Sequence, residues 1–171
     1  MRRLYLSCII LTLVILIIGV FAYLCRFIEP KISITAAIRP ITISDYNRIK
    51  ERKDESFASS KIDDFRNVSI AIKYTEPLAL IKNRKITFEH LSKTIAKGGK
   101  VIDLSGGYSE QDNKNELKAE YTESAEVYLN GQSVYFFKDL LADDKIRISW
   151  DKLGTGKEER VYYLSDLIEL K

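Results

Sequence analysis

Four groups of residues in this chain have types and spacings that could do chemistry. His90 is the only histidine among 171 residues. A nucleophilic triad would need it beside an activated serine, yet no serine stands in the Gly-x-Ser-x-Gly elbow that exposes such a nucleophile. A zinc site would need about three or four ligands, and both cysteines, Cys8 and Cys25, lie far upstream in an apolar segment. Gly154-Thr155-Gly156-Lys157 has the look of a phosphate-binding loop. That loop requires about four residues between its glycines, Ser or Thr after the lysine and a helix behind it. Here Glu158 follows Lys157 and a strand is expected next, so the segment reads as a hairpin turn.

Glu110, Asp112, Asn113, Asn115 and Glu116 gather oxygen ligands in one stretch. Calcium accepts about six to eight such ligands, but the spacing lacks the central glycine of a calcium loop. A solvated polar loop is expected, and depletion of divalent ions should leave the melting temperature unchanged. Tyr128, Tyr135, Phe137, Tyr162 and Tyr163 crowd the C-terminal third. Aromatic side chains give large contact area at low entropic cost, which makes Tyr128, Tyr135 and Phe137 weak binding candidates. The competing expectation is that they pack between layers. No catalytic residue, metal ligand or cofactor is assigned.

Net charge narrows the partners. The 27 basic residues fall to 24 in residues 31–171 once Arg2, Arg3 and Arg26 are set aside, and the 24 acidic ones to 23 without Glu29. A domain this close to neutral offers no electrostatic case for nucleic acid. Lys50, Arg52 and Lys53 alternate with Glu51, Asp54 and Glu55, the pattern of a solvated surface. With no cysteine in the domain, its core must hold without a disulfide, which about 140 residues can do. The sequon Asn67-Val68-Ser69 falls within an expected strand.

The elements that would position these groups are mostly strands. Period-two alternation marks Lys31–Ile38, Val68–Tyr74, Leu117–Thr122 and Lys145–Asp151, each with one face on a core and one face wet. Asn130-Gly131 predicts a type I′ hairpin, because both positions of that turn need positive φ. The hairpin would pair Val127 with Val134 and bring Tyr128, Tyr135 and Phe137 onto one face. A second hairpin is expected between Ile146–Trp150 and Val161–Leu164. Val134–Leu140 resembles Val161–Leu167, as two strands each leaving into a tight turn would. One principal helix is expected over Ile86–Lys97, stopped by Gly98-Gly99, and a short one over Asp45–Arg52. Residues 53–64 and 106–116 read as a polar, mobile stretch and a loop.

The N-terminal segment is the clearest feature. Residues 1–3 form a short basic tail, and residues 4–25 run without a charge or a proline. As a helix they extend about 33 Å, enough for a hydrocarbon core of about 30 Å. The run exceeds the ~7–15 residues of a signal-peptide core, although Val20-Phe21-Ala22 offers small residues of the kind a signal peptidase reads. Acylation at Cys25 is disfavoured because Leu24 stands where a lipobox needs a small residue. The expected architecture is a single transmembrane signal anchor carrying a mainly-β domain, residues 26–171, built as a β-sandwich or an α+β sheet. The tail and signal-like layout favour an extracytoplasmic domain in a plasma or inner membrane. The expected function is non-enzymatic binding of another envelope protein, as an assembly subunit, inhibitor or immunity-type factor. The alternative is a membrane-tethered hydrolase of envelope glycans, using two carboxylates about 5–10 Å apart.

Overall fold

The computed structural model describes residues 2–52, 57, 59–77, 81–113, 115–152 and 156–171, with residues 2–4 as backbone alone. Helix α1, Arg2–Phe27, contains a 23-residue stretch, Tyr5–Phe27, whose most apolar window has a mean hydropathy of 3.0 and no buried residue. A soluble domain's core helix would be covered by its neighbours; this one is long and apolar enough to cross a membrane, and its apolar window is uncovered.

The rest is mainly β, in two sheets. The larger has the order β4-β5-β2-β1-β8, and the smaller β3-β6-β7. Strands β1 (Lys31–Pro40), β2 (Phe65–Thr75), β4 (Ile102–Gln111) and β5 (Lys118–Tyr128) pair antiparallel, and short β8 (Ile168–Leu170) joins β1 in parallel. Strands β3 (Ile81–Thr87), β6 (Lys145–Lys152) and β7 (Gly156–Tyr163) are antiparallel throughout. Alternation dictates how the sheets meet. Val68, Ile70, Ile72 and Tyr74 of β2 face Ile146, Ile148 and Trp150 of β6 in one continuous core, with the Tyr74 and Trp150 rings 6.4 Å apart. Each fully buried large side chain of this kind contributes about 1.5–3 kcal/mol. The domain is thus mainly β, with strands of both sheets contributing to a shared core.

Short helices cover the margins. α2 (Ile43–Glu51) is capped by Thr42 and shelters a second cluster of Ile41, Ile49, Phe57 and Phe65. α3 (Leu91–Gly98) ends at Gly99, whose φ of 62° supplies the left-handed stop. α4 is Val134–Leu140 and α5 is Leu164–Leu167.

Four expectations are corrected here. The single helix over Ile86–Lys97 divides: Ile86 belongs to β3, opposite Ile148, and helix begins only at Leu91. Helical content outside α1 is spread over several short segments rather than one principal helix. Residues 106–111, expected as loop, are strand β4, whose two glycines and polar residues show no alternation because it is an edge. Val134–Leu140, expected as a hairpin strand, is helix α4, and Leu164–Leu167 is a helical turn, so the resemblance between those segments does not reflect two equivalent strands. Asn130 and Gly131 do take the positive φ values of 52° and 76°, and Gln132 N–H closes the turn on the Leu129 carbonyl at 2.9 Å. Ser133 then accepts the Phe136 N–H at 3.0 Å and starts a helix that buries Phe137, with Leu141 buried just beyond its end. The second hairpin pairs as expected, with Ile146 opposite Tyr162; its loop, 153–155, and residues 53–56 and 58 of the expected mobile stretch lie outside the described residues.

Candidate functional site

A cavity of about 300 Å³ opens between β4, β5 and the start of α3, lined by His90, Asp103, Gly106, Tyr108 and Glu123 among others. The period of β5 creates it. Ala119, Tyr121, Ala125 and Val127 point into the core, and the same alternation carries Glu123 inward with them. A buried carboxylate needs compensation. Glu123 Oε1 accepts the Leu91 backbone N–H at 3.0 Å and lies 3.4 Å from His90 Nδ1. His90 is the N-cap residue of α3, but its side chain makes no capping bond; Glu123 performs that role from a neighbouring strand, where the helix dipole favours a negative charge. Burial nevertheless raises the Glu123 pKa, against the lowering influence of the Leu91 N–H and His90. Oε2 has no hydrogen-bond partner among the described residues.

Asp103 stands on β4 across the cavity, exposed to solvent, and its pKa is also raised by partial desolvation. The two carboxyls repel, as the effect of Asp103 on Glu123 records. The rim is aromatic: the His90 and Tyr108 rings meet edge-on at 5.0 Å, and Phe88 lies 5.7 Å from His90. Burial, then a hydrogen bond to Glu110, pushes the Tyr108 phenol up to about 12. Gly106 leaves the inner floor empty; a Cβ there would approach the Ser124 carbonyl oxygen to 3.1 Å.

A second polar cluster lies where β3 meets the β4–β5 connection. Arg84, 5% exposed in its side chain, binds Asp112 through Nε at 3.0 Å and Nη2 at 2.5 Å, and Glu76 through Nη1 at 2.8 Å. It also donates to the carbonyls of Asn113, Glu116 and Lys118. Tyr121 donates to the other Asp112 oxygen at 2.6 Å. Burial lowers the Arg84 pKa, but the two carboxylates outweigh it and the net shift is upward. Such a saturated buried pair holds elements together, and removing one partner typically costs about 3–5 kcal/mol. A larger cavity, about 520 Å³, opens beside this cluster over Lys73 and Glu120. Those two residues are paired with each other at 3.0 Å.

The structure disperses the aromatic candidates. Tyr128 packs against Phe57 and Phe65 in the second cluster, Phe137 is wholly buried, and Tyr135 is 68% exposed on α4. The shared face expected of them does not form, because α4 turns every third or fourth residue the same way rather than every second. The oxygen-rich stretch does not converge on a centre either: Asp112 is held by Arg84 and Tyr121, Glu110 by Tyr108, and Asn113 by Glu116 and the Asn115 N–H. Among the described residues, no set of His, Cys, Asp or Glu is arranged to hold a metal. Gly156-Lys157 opens β7, while residues 154 and 155 lie outside the described part. His90 is exposed on one side and lies 3.4 Å from Glu123 on the other. Sequence reasoning missed Asp103, Glu123 and Arg84. One signal was available for Glu123: it occupies an inward position of an alternating strand, between Tyr121 and Ala125.

No family model, curated protein or solved structure matches this chain.

Proposed function

We propose that the chain is a membrane-anchored, non-enzymatic protein whose β-rich domain lies outside the cytoplasm and binds another envelope protein by accepting a partner strand along β4. The carrying observation is that open edge. β4 ends the larger sheet, pairs only with β5 among the described residues, and exposes every residue except Leu104 and Ser105. Ile102 and Tyr108 are large apolar side chains exposed on it. A long open edge is a standing template for strand addition. Asp103, Glu110 and the register irregularity between Asp103 and Ser105 are features that deter indiscriminate pairing, so the edge favours a matched partner. An assembly subunit, an inhibitor and an immunity-type factor all fit such a binding role.

A tagged full-length chain in intact cells or spheroplasts should lose its C-terminal tag to added protease. A photo-crosslinking residue at Ser109, far along β4 from the end that meets α4, should then capture one partner band, while the same residue at Tyr135, on α4, should not. A protected tag reverses the orientation. Capture that is equal at Tyr135 or missing at β4 in a folded, membrane-bound chain removes strand addition.

A second reading, a membrane-tethered hydrolase of envelope glycans, draws on Asp103 and Glu123 sharing one cavity. Size argues against it: about 300 Å³ is the lower bound for ligand sites and admits a single side chain, not sugar rings on both sides of a scissile bond.

A further inference from the structure

We infer that the cavity between β4, β5 and the N-terminus of α3 receives the charged end of a lysine or arginine side chain from the partner segment lying along β4. This rests on the strand-addition reading and names the partner's chemistry. The cavity is lined by two carboxyls and by no lysine or arginine. Asp103 forms no ion pair among the described residues, and His90 is the basic group beside Glu123. Glu123 is 8% exposed in its side chain, lines the cavity, and carries an oxygen with no donor. An entering ammonium or guanidinium supplies that missing donor and offsets the repulsion between the two carboxyls.

The shape agrees with the charge. Tyr108 and His90 form a wall on which an alkyl stem can lie and past which a cation gains from the ring faces. His90 is 44% exposed in its side chain, so it is free on one side to swing as the chain enters. The volume suits one long side chain. A strand added to β4 alternates its side chains across the sheet, and alternate ones fall on the inner side, where Asp103, Gly106 and Tyr108 line the opening. Gly106 keeps the floor of that opening clear.

The test uses the full chain in lipid nanodiscs, titrated with N-acetyl-lysine amide, N-acetyl-arginine amide and the uncharged N-acetyl-norleucine amide. Backbone amide shifts of Ser92, Gly106 and Gly107 report occupancy. The charged probes should give saturable shifts that weaken with salt, and norleucine amide should give none. Asp103→Asn, at an exposed position, should weaken binding about three- to fivefold, as expected for a partly exposed charge pair. Glu123→Gln, which keeps an acceptor for the Leu91 N–H, should weaken it as well. Equal shifts from norleucine amide, no saturation, or an unchanged affinity in Asp103→Asn would overturn the inference. These probes need no partner, so their failure leaves strand addition standing. Loss of the β4 crosslinks, by contrast, removes the partner segment and leaves amine recognition to the titration.

Discussion

At Glu123 two demands of the fold meet. The alternation of β5 drives a carboxylate into the core, and the start of α3 needs an acceptor that its own N-cap residue, His90, does not provide. One interaction answers both, at the cost of desolvating a charge. Glu123→Ala removes the acceptor and is expected to lower stability by about 0.5–2 kcal/mol, the worth of a helix cap. Glu123→Gln keeps the acceptor without the charge. The folded-state pKa of Glu123 is raised above its ordinary 4.5, so the folded protein holds this proton more tightly than the unfolded chain. The wild type therefore gains stability relative to Glu123→Gln as pH falls through the folded pKa toward 4.5, and that gain is lost as pH rises again. Melting temperatures of the two proteins across that range check the sign. A difference that favours Gln more strongly in acid would contradict it.

At the scale of elements, local preference and tertiary demand disagree most at α4. Val-Tyr-Phe-Phe favours a strand, and the preceding Asn130-Gly131 turn points to a hairpin. Ser133 decides otherwise by accepting the Phe136 N–H, and the helix is retained because it buries Phe137, with Leu141 buried beyond its last turn. Ser133→Ala should lower stability by about 1 kcal/mol in chemical unfolding; a strand in this place would leave stability unchanged. β4 was illegible for the opposite reason. Alternation records burial, and an edge strand exposed on most of its length has little burial to record. The strands that were legible, β1, β2, β5 and β6, each put one face on the core.

Across the whole molecule, the apolar helix and the β domain are coupled. The buried Lys152 ammonium donates to the Arg26 carbonyl at 2.5 Å, a cation at a helix C-terminus that is worth about 0.3–1 kcal/mol, or up to ~2 when partly buried. Arg160 adds a contact to Glu29. Lys152→Met keeps the aliphatic packing and removes the donor. It should speed chymotryptic cleavage at the exposed Phe27 about three- to fivefold, in keeping with the lost capping energy, with the domain's melting temperature nearly unchanged. An unaltered cleavage rate would show that Lys152 does not restrain the junction. By itself the sequence determined the long apolar helix, the half-buried strands, the positive-φ turn at Asn130-Gly131 and the glycine stop after α3, because each is a property of adjacent residues or of a short period. Only the tertiary structure decided that Val134–Leu140 is a helix, that β4 is an open edge, and that Asp103 and Glu123 face one cavity while Arg84 closes another cluster. Those outcomes depend on which distant strands pair and in what register, and no local spacing carries that information.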